Sequence, residues 1–128
     1  WEQDSADALA ADPPMRDADI LVLTDDGQPA GQRVIGFARV YDRQSTVLGP
    51  GVYWRVLMGA QPGGLGPIGV DAAYRGRGLG LLLLHRGLAA LAGRGVRQCV
   101  IDWTDLVEFY GKMGFSPWKT YRNHAKEL

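Results

Sequence analysis

Arg75-Gly76-Arg77-Gly78-Leu79-Gly80 sets three alternating glycines beside two arginines. The chemistry these residue types serve is anion binding. Glycine opens backbone conformations closed to other residues and leaves no side chain to block a ligand. The apolar run Leu65 to Val70 ends just before the glycines, and a leucine-rich stretch with helical spacing begins at Leu79. The glycines therefore stand at a helix start, where N–H groups lack intrahelical partners and the helix dipole is positive. With the arginines adding charge, strand, turn and helix read as a pyrophosphate cradle. The plainer alternative is a glycine-rich turn with two solvated arginines.

Spacing narrows the kind of cradle. A nucleotide P-loop needs four residues between its glycines followed by Lys-Ser or Lys-Thr, and neither is present. The dinucleotide fingerprint Gly-x-Gly-x-x-Gly also fails, because Gly80 comes one residue early and Leu81 holds the third glycine's place. The pattern that fits is Arg-x-x-Gly-x-Gly. In those words the stretch resembles the acyl-CoA-binding signature of the GNAT superfamily of N-acyltransferases.

The rest of the composition excludes other chemistry. The 128 residues carry 14 basic and 14 acidic side chains, a formal charge of +0, which argues against a nucleic-acid binder. Cys99 stands alone, so no intrachain disulfide or thiolate metal cluster can form. His85 and His124 are the only histidines, too few for a dedicated transition-metal site. No apolar run approaches a membrane span and no signal peptide is visible, so the expected location is cytoplasmic. The chain starts at Trp1, which reads as a processed, trimmed or excised piece.

The elements that must position the cradle follow from pattern. Trp1 to Ala11 reads as a short helix stopped by Asp12-Pro13-Pro14. Ile20 to Thr24 and Arg33 to Asp42 read as strands of an antiparallel hairpin around the turn signal Asp25-Asp26-Gly27. Val52 to Met58 reads as a strand between glycine-proline clusters. Leu65 to Val70 leads into the cradle, and its glycines and proline suggest a bulge or a close backbone approach. Leu81, Leu84, Leu88 and Leu91 mark one face of a helix, widened by Leu82, Leu83 and Ala89 and ended by Gly93 and Gly95. Arg97 to Asp102 reads as a buried strand, which completes a parallel βαβ unit. Asp105 to Lys112 is a short helix capped by Gly114, and Phe115 to Arg122 reads as a last strand. The class is α/β: one domain over residues 1–128, with an antiparallel front half and a parallel βαβ joint at the cradle.

A second stretch, Glu108-Phe109-Tyr110-Gly111-Lys112-Met113-Gly114-Phe115, resembles the C-terminal helix and turn of the GNAT family. It falls about 30 residues after the cradle, following a helix and a strand, as in the family. The resemblance covers Ile20 to Tyr121 and implies a GNAT fold with acetyl-CoA as cosubstrate and no metal. By the same resemblance, Ile68, Gly69 and Val70 offer backbone groups to the pantetheine arm, from strands that splay to open a slot. Pyrophosphate would sit on the amides of Arg75, Gly76, Arg77, Gly78, Leu79 and Gly80. The amide of Ile68 or Val70 would hold the oxyanion. Tyr110 matches the tyrosine that protonates the departing thiolate; its alternative is a packed aromatic.

The chain departs from the family pattern at several places. Trp103 stands seven residues before Tyr110, where many relatives have asparagine. Thr104 or Asp105 either replaces that asparagine or caps the short helix. The usual first strand is missing. The strand from Leu65 to Val70 carries no carboxylate, which leaves Asp102 as the best candidate general base, or a solvated strand-end acid. Arg39, Tyr41, Tyr53 and Trp54 are expected on the acceptor side, and His85 on the surface or in a structural role. The activity implied is transfer of an acetyl group to a primary amine of a small-molecule or peptide acceptor, with a homodimer possible. The alternative is a CoA-binding or interaction module of a larger or tandem protein, without chemistry of its own.

Overall fold

The computed structural model describes residues 16–47, 49, 55–122 and 124–126. Four strands form one sheet in chain order: β1 (Ile20–Thr24), β2 (Val34–Tyr41), β3 (Pro62–Val70) and β4 (Gln98–Val100). The β1–β2 and β2–β3 pairs are antiparallel and the β3–β4 pair is parallel. The crossover between β3 and β4 is α1 (Leu79–Gly93), and the short α2 (Val107–Gly111) follows β4. This is the α/β architecture read from the sequence, with the glycine motif in the crossover that joins the parallel strands.

Helix α1 covers one face of the sheet. Leu83, Leu84, Gly87 and Leu91 are its buried residues, whereas Leu82 is 41% exposed. The helix packs tightly on the sheet at Gly87, where a Cβ would collide with Leu65 and stand 3.3 Å from Val40 Cγ1. Val40, Leu65, Leu84, Leu91 and Tyr110 form the core, so the tyrosine of α2 belongs to the same packed cluster as α1 and the central strands. The helix stops where Gly95 takes φ +82° and the Val96 amide returns to the Leu91 carbonyl at 3.0 Å.

A four-residue ion network ties the ends of these elements together. Asp19 (1% exposed) precedes β1, Asp42 follows β2, and Arg94 closes α1. Arg16 reaches Asp19 at 2.6 Å and Asp42 at 2.9 Å, and Arg94 reaches the same two carboxylates at 2.8 and 3.2 Å.

Several expected elements are corrected. The strand read over Leu65–Val70 begins earlier, at Pro62, while the one read over Arg97–Asp102 shortens to Gln98–Val100. Of the strand expected at Val52–Met58, residues 52–54 lie outside the described residues, and Arg55–Leu57 is a 3-10 turn. Val56 is 95% exposed and Leu57 64%, so no buried face holds an extended conformation there. Phe115–Arg122 is not a strand. Pro117 cannot donate to a ladder, and a cavity of about 650 Å³ lies between this segment and β4. The helix expected at Trp1–Ala11 lies outside the described residues.

Candidate active site

The parallel strands part company early. β3 pairs with β4 only through Pro62, Gly63 and Gly64, opposite Gln98, Cys99 and Val100. From Leu65 to Val70, β3 keeps β2 on one side and, among the described residues, has no strand on the other. That open edge lies where the resemblance implies a slot. Ile68, Gly69 and Val70 lie along it, half-buried, and face Ala38, Phe37 and Gly36 across β2. The β2–β3 register shifts between Ala38 and Val40, opposite Gly66-Pro67, so the bulge read from the glycines and proline is present.

The cradle is built from Asp71 onward. The Asp71 carboxylate accepts the Ala73 amide at 2.8 Å and starts a 3-10 turn over Ala72–Tyr74. Gly76 and Gly78 then take φ +76° and +77°, a region that strains other residues. A Cβ at either would meet nothing within 4 Å, so these glycines leave free space above the backbone. The ladder of α1 opens with the Leu82 amide on the Gly78 carbonyl at 3.0 Å. The amides of Leu79, Gly80 and Leu81 thus precede it and point out of the helix start. The arginines bend back onto their own loop. Arg75 Nε donates to the Val70 carbonyl at 3.1 Å, and the Arg77 guanidinium lies 5.2 Å from the centre of the Tyr74 ring.

Gly80 is a glycine for a different reason. Its Cβ would stand 3.3 Å from the Phe109 ring, so this position brings α2 against the first turn of α1.

Tyr110, next to Phe109, is 7% exposed and sits edge-on to Phe109 and Phe115 at 5.0 and 6.0 Å between ring centres. Burial pushes its phenol above the ordinary value, so it stays protonated at neutral pH. Tyr110, Asp102 and Thr104 all line the cavity of about 650 Å³, together with Trp103, Trp118 and Tyr121. The cavity takes no part of its wall from β3. Asp102 is half-buried just beyond β4, and Thr104 accepts the Leu106 amide on Oγ1 at 3.0 Å, one turn before α2. Trp103 is 72% exposed. Burial lifts the Cys99 thiol to about 12, which disfavours its thiolate at neutral pH.

His85 is exposed on α1. Of the residues expected toward the acceptor, Tyr53 and Trp54 lie outside the described residues. Arg39 and Tyr41 are buried on β2, with the Arg39 guanidinium 5.6 Å from the Tyr41 ring centre and its Nε without a hydrogen-bond partner. The sequence reading missed the contact of Tyr74 with Asp25 and Gln28. No local pattern announces it, since the partners lie 49 and 46 residues apart in the chain.

Comparison with known proteins bears on the same regions. The family model described as an acetyltransferase (GNAT) domain matches residues 16–117, which include slot, cradle and Tyr110. Mycothiol acetyltransferase of a Nocardioides species is 32% identical over 127 residues, covering 90% of this chain and 40% of the relative's length. The chain thus spans about two fifths of that protein. A GNAT family acetyltransferase from Brucella melitensis, solved in complex with acetyl-CoA, is 34% identical with a TM-score of 0.59, covering 91% of this chain and 64% of that one. A GCN5-related glucosamine N-acetyltransferase region of a fungal multi-domain GH3 β-N-acetylglucosaminidase is 27% identical with a TM-score of 0.70. It covers 91% of this chain and 13% of that one.

Proposed function

The chain belongs to the GNAT acetyltransferase family, and from that premise we propose that it transfers an acetyl group from acetyl-CoA to a primary amine. The observation that carries the reading is the open edge of β3 running into the glycine cradle at the start of α1. The acetyl-CoA complex of the Brucella relative supports the choice of donor.

Acetyl-CoA supplies the acyl group as a thioester. The amides at the start of α1, from Arg75 to Gly80, take the pyrophosphate, where Gly76 and Gly78 leave room for it. Ile68, Gly69 and Val70 hold the pantetheine arm by backbone hydrogen bonds along the slot. The amide of Ile68 or Val70 stabilises the oxyanion formed when the amine nitrogen bonds to the carbonyl carbon. Tyr110 gives its phenolic proton to the sulfur as the carbon–sulfur bond breaks. Asp102 accepts the proton lost by the amine, and Thr104 takes the part of the asparagine that Trp103 replaces.

The acceptor is proposed from the relatives' names. The fungal region is a glucosamine N-acetyltransferase, so amino sugars head the amines to try. The test is release of free thiol from acetyl-CoA with glucosamine, polyamines, amino acids and peptides as acceptors. Thiol release that depends on one amine class supports the reading. Binding of acetyl-CoA without transfer to any of them would replace it with a CoA-binding module.

A further inference from the structure

We propose that the turn between β1 and β2 braces the cradle loop through Tyr74, which makes Tyr74 and Asp25 positioning residues for CoA binding. The inference rests on the cradle reading above. The loop from Asp71 to Gly78 is exposed at every position except Tyr74. Its base is fixed by the backbone, with the Asp71 amide on the Ile35 carbonyl at 2.8 Å. Beyond the bonds that residues 70–77 make among themselves, its middle is tied to another element by one side chain. The Tyr74 hydroxyl donates to Asp25 Oδ2 at 2.7 Å and accepts from Gln28 Nε2 at 2.9 Å.

The far side of that contact is itself ordered. The other oxygen of Asp25 accepts the Gly27 amide at 2.9 Å, and the Asp25 amide donates to the Arg33 carbonyl at 2.8 Å. Tyr74 passes the constraint onward, because its ring lies beneath the Arg77 guanidinium, between Gly76 and Gly78. A charge-assisted hydrogen bond from the strand hairpin therefore sets the phenol, the phenol's ring sets an arginine, and both lie within the loop whose amides must converge on a phosphate. Without that bond the loop keeps only its two ends and its own local bonds, and the positive-φ glycines Gly76 and Gly78 offer little resistance to motion. Ordering the loop then becomes a cost of binding.

The test is a double-mutant cycle on the full chain with Tyr74→Phe, Asp25→Ala and both together. CoA affinity is read by calorimetry, and amide exchange of the loop is read without ligand. Tyr74→Phe keeps the ring under Arg77 and removes only the hydroxyl. The expected result is a three- to tenfold weaker affinity for CoA in each single variant, of the order set by one net hydrogen bond near the surface. The double variant should be no weaker than the singles, and exchange at Ala73 to Gly78 should quicken while α1 and the melting temperature hold. Wild-type affinity in Tyr74→Phe, or additive losses in the double variant, would overturn the brace. Failure of the unsubstituted chain to bind CoA would instead overturn the cradle, and loop exchange alone would then decide the brace.

Discussion

Gly80 and Phe109 touch where the two halves of the site meet: the glycine of α1 leaves just the space that the ring of α2 fills. The cradle and Tyr110 are therefore mechanically joined at the first turn of α1. A side chain added at Gly80 pushes α2, and with it the tyrosine next to Phe109. Gly80→Ala gains about 1 kcal/mol of helix propensity against a contact that is a few tenths of an ångström too close. Its melting temperature should hold within a few degrees. Gly80→Leu should cost about 1–3 kcal/mol by overpacking and lower turnover more than CoA affinity, as read by thermal melts and thiol release.

Tyr110→Phe separates proton donation from packing. The phenyl ring keeps its place against Phe109 and Phe115, so stability and CoA affinity should change little. Turnover should fall by about 10²-fold or more, the range for a lost general acid. Because burial raises the phenol's pKa, its ionisation should not limit the rate until above about pH 10. Activity equal to the unsubstituted chain would remove Tyr110 from the mechanism.

Acid should loosen the ion network. Burial of Asp42 opposes its charged form, but hydrogen bonds from the Gln44 amide and Arg16, joined by Arg94, outweigh it and hold the carboxyl below its ordinary value. A carboxyl depressed in the folded state contributes stability that is present above its unfolded pKa of about 4. That contribution is lost as pH falls through the lower folded value. Urea midpoints measured from pH 6 downward should therefore decline below about pH 4, and Asp42→Asn should flatten the decline. Asp19→Ala removes a buried carboxylate from two arginines that are about a quarter exposed and keep Asp42 as partner, and should cost about 1–3 kcal/mol at neutral pH.

The parts legible in sequence are those that a short stretch of chain decides for itself. Gly76 and Gly78 need positive φ, α1 needs its leucines, and the βαβ order fixes a parallel joint, so the glycine turn and the crossover were readable from residues 65–102. Gly66-Pro67 marked its own bulge. Pairings that depend on a distant neighbour were not readable. Phe115–Arg122 has strand-forming residues but no ladder beside it, and Arg55–Leu57 has apolar residues but no core above them. Gly80 looks in sequence like a third phosphate glycine, and only the fold reveals that its partner is Phe109. Gly87 breaks the leucine stripe in sequence, yet its missing side chain is what lets the helix seat against Leu65 and Val40. Tyr74 reads as a turn residue until the β1–β2 hairpin folds back beside it.

The central claim is that the slot along β3 and the cradle at α1 together bind acyl-CoA. Calorimetric titration with acetyl-CoA and CoA, with ATP as control and Gly78→Glu beside the unsubstituted chain, tests it most directly. The account predicts saturable binding of both CoA species, much weaker binding of ATP, and no detectable binding by Gly78→Glu, which sets bulk and negative charge where the pyrophosphate would lie. Absence of binding by the unsubstituted chain, or affinity undiminished in Gly78→Glu, would contradict it.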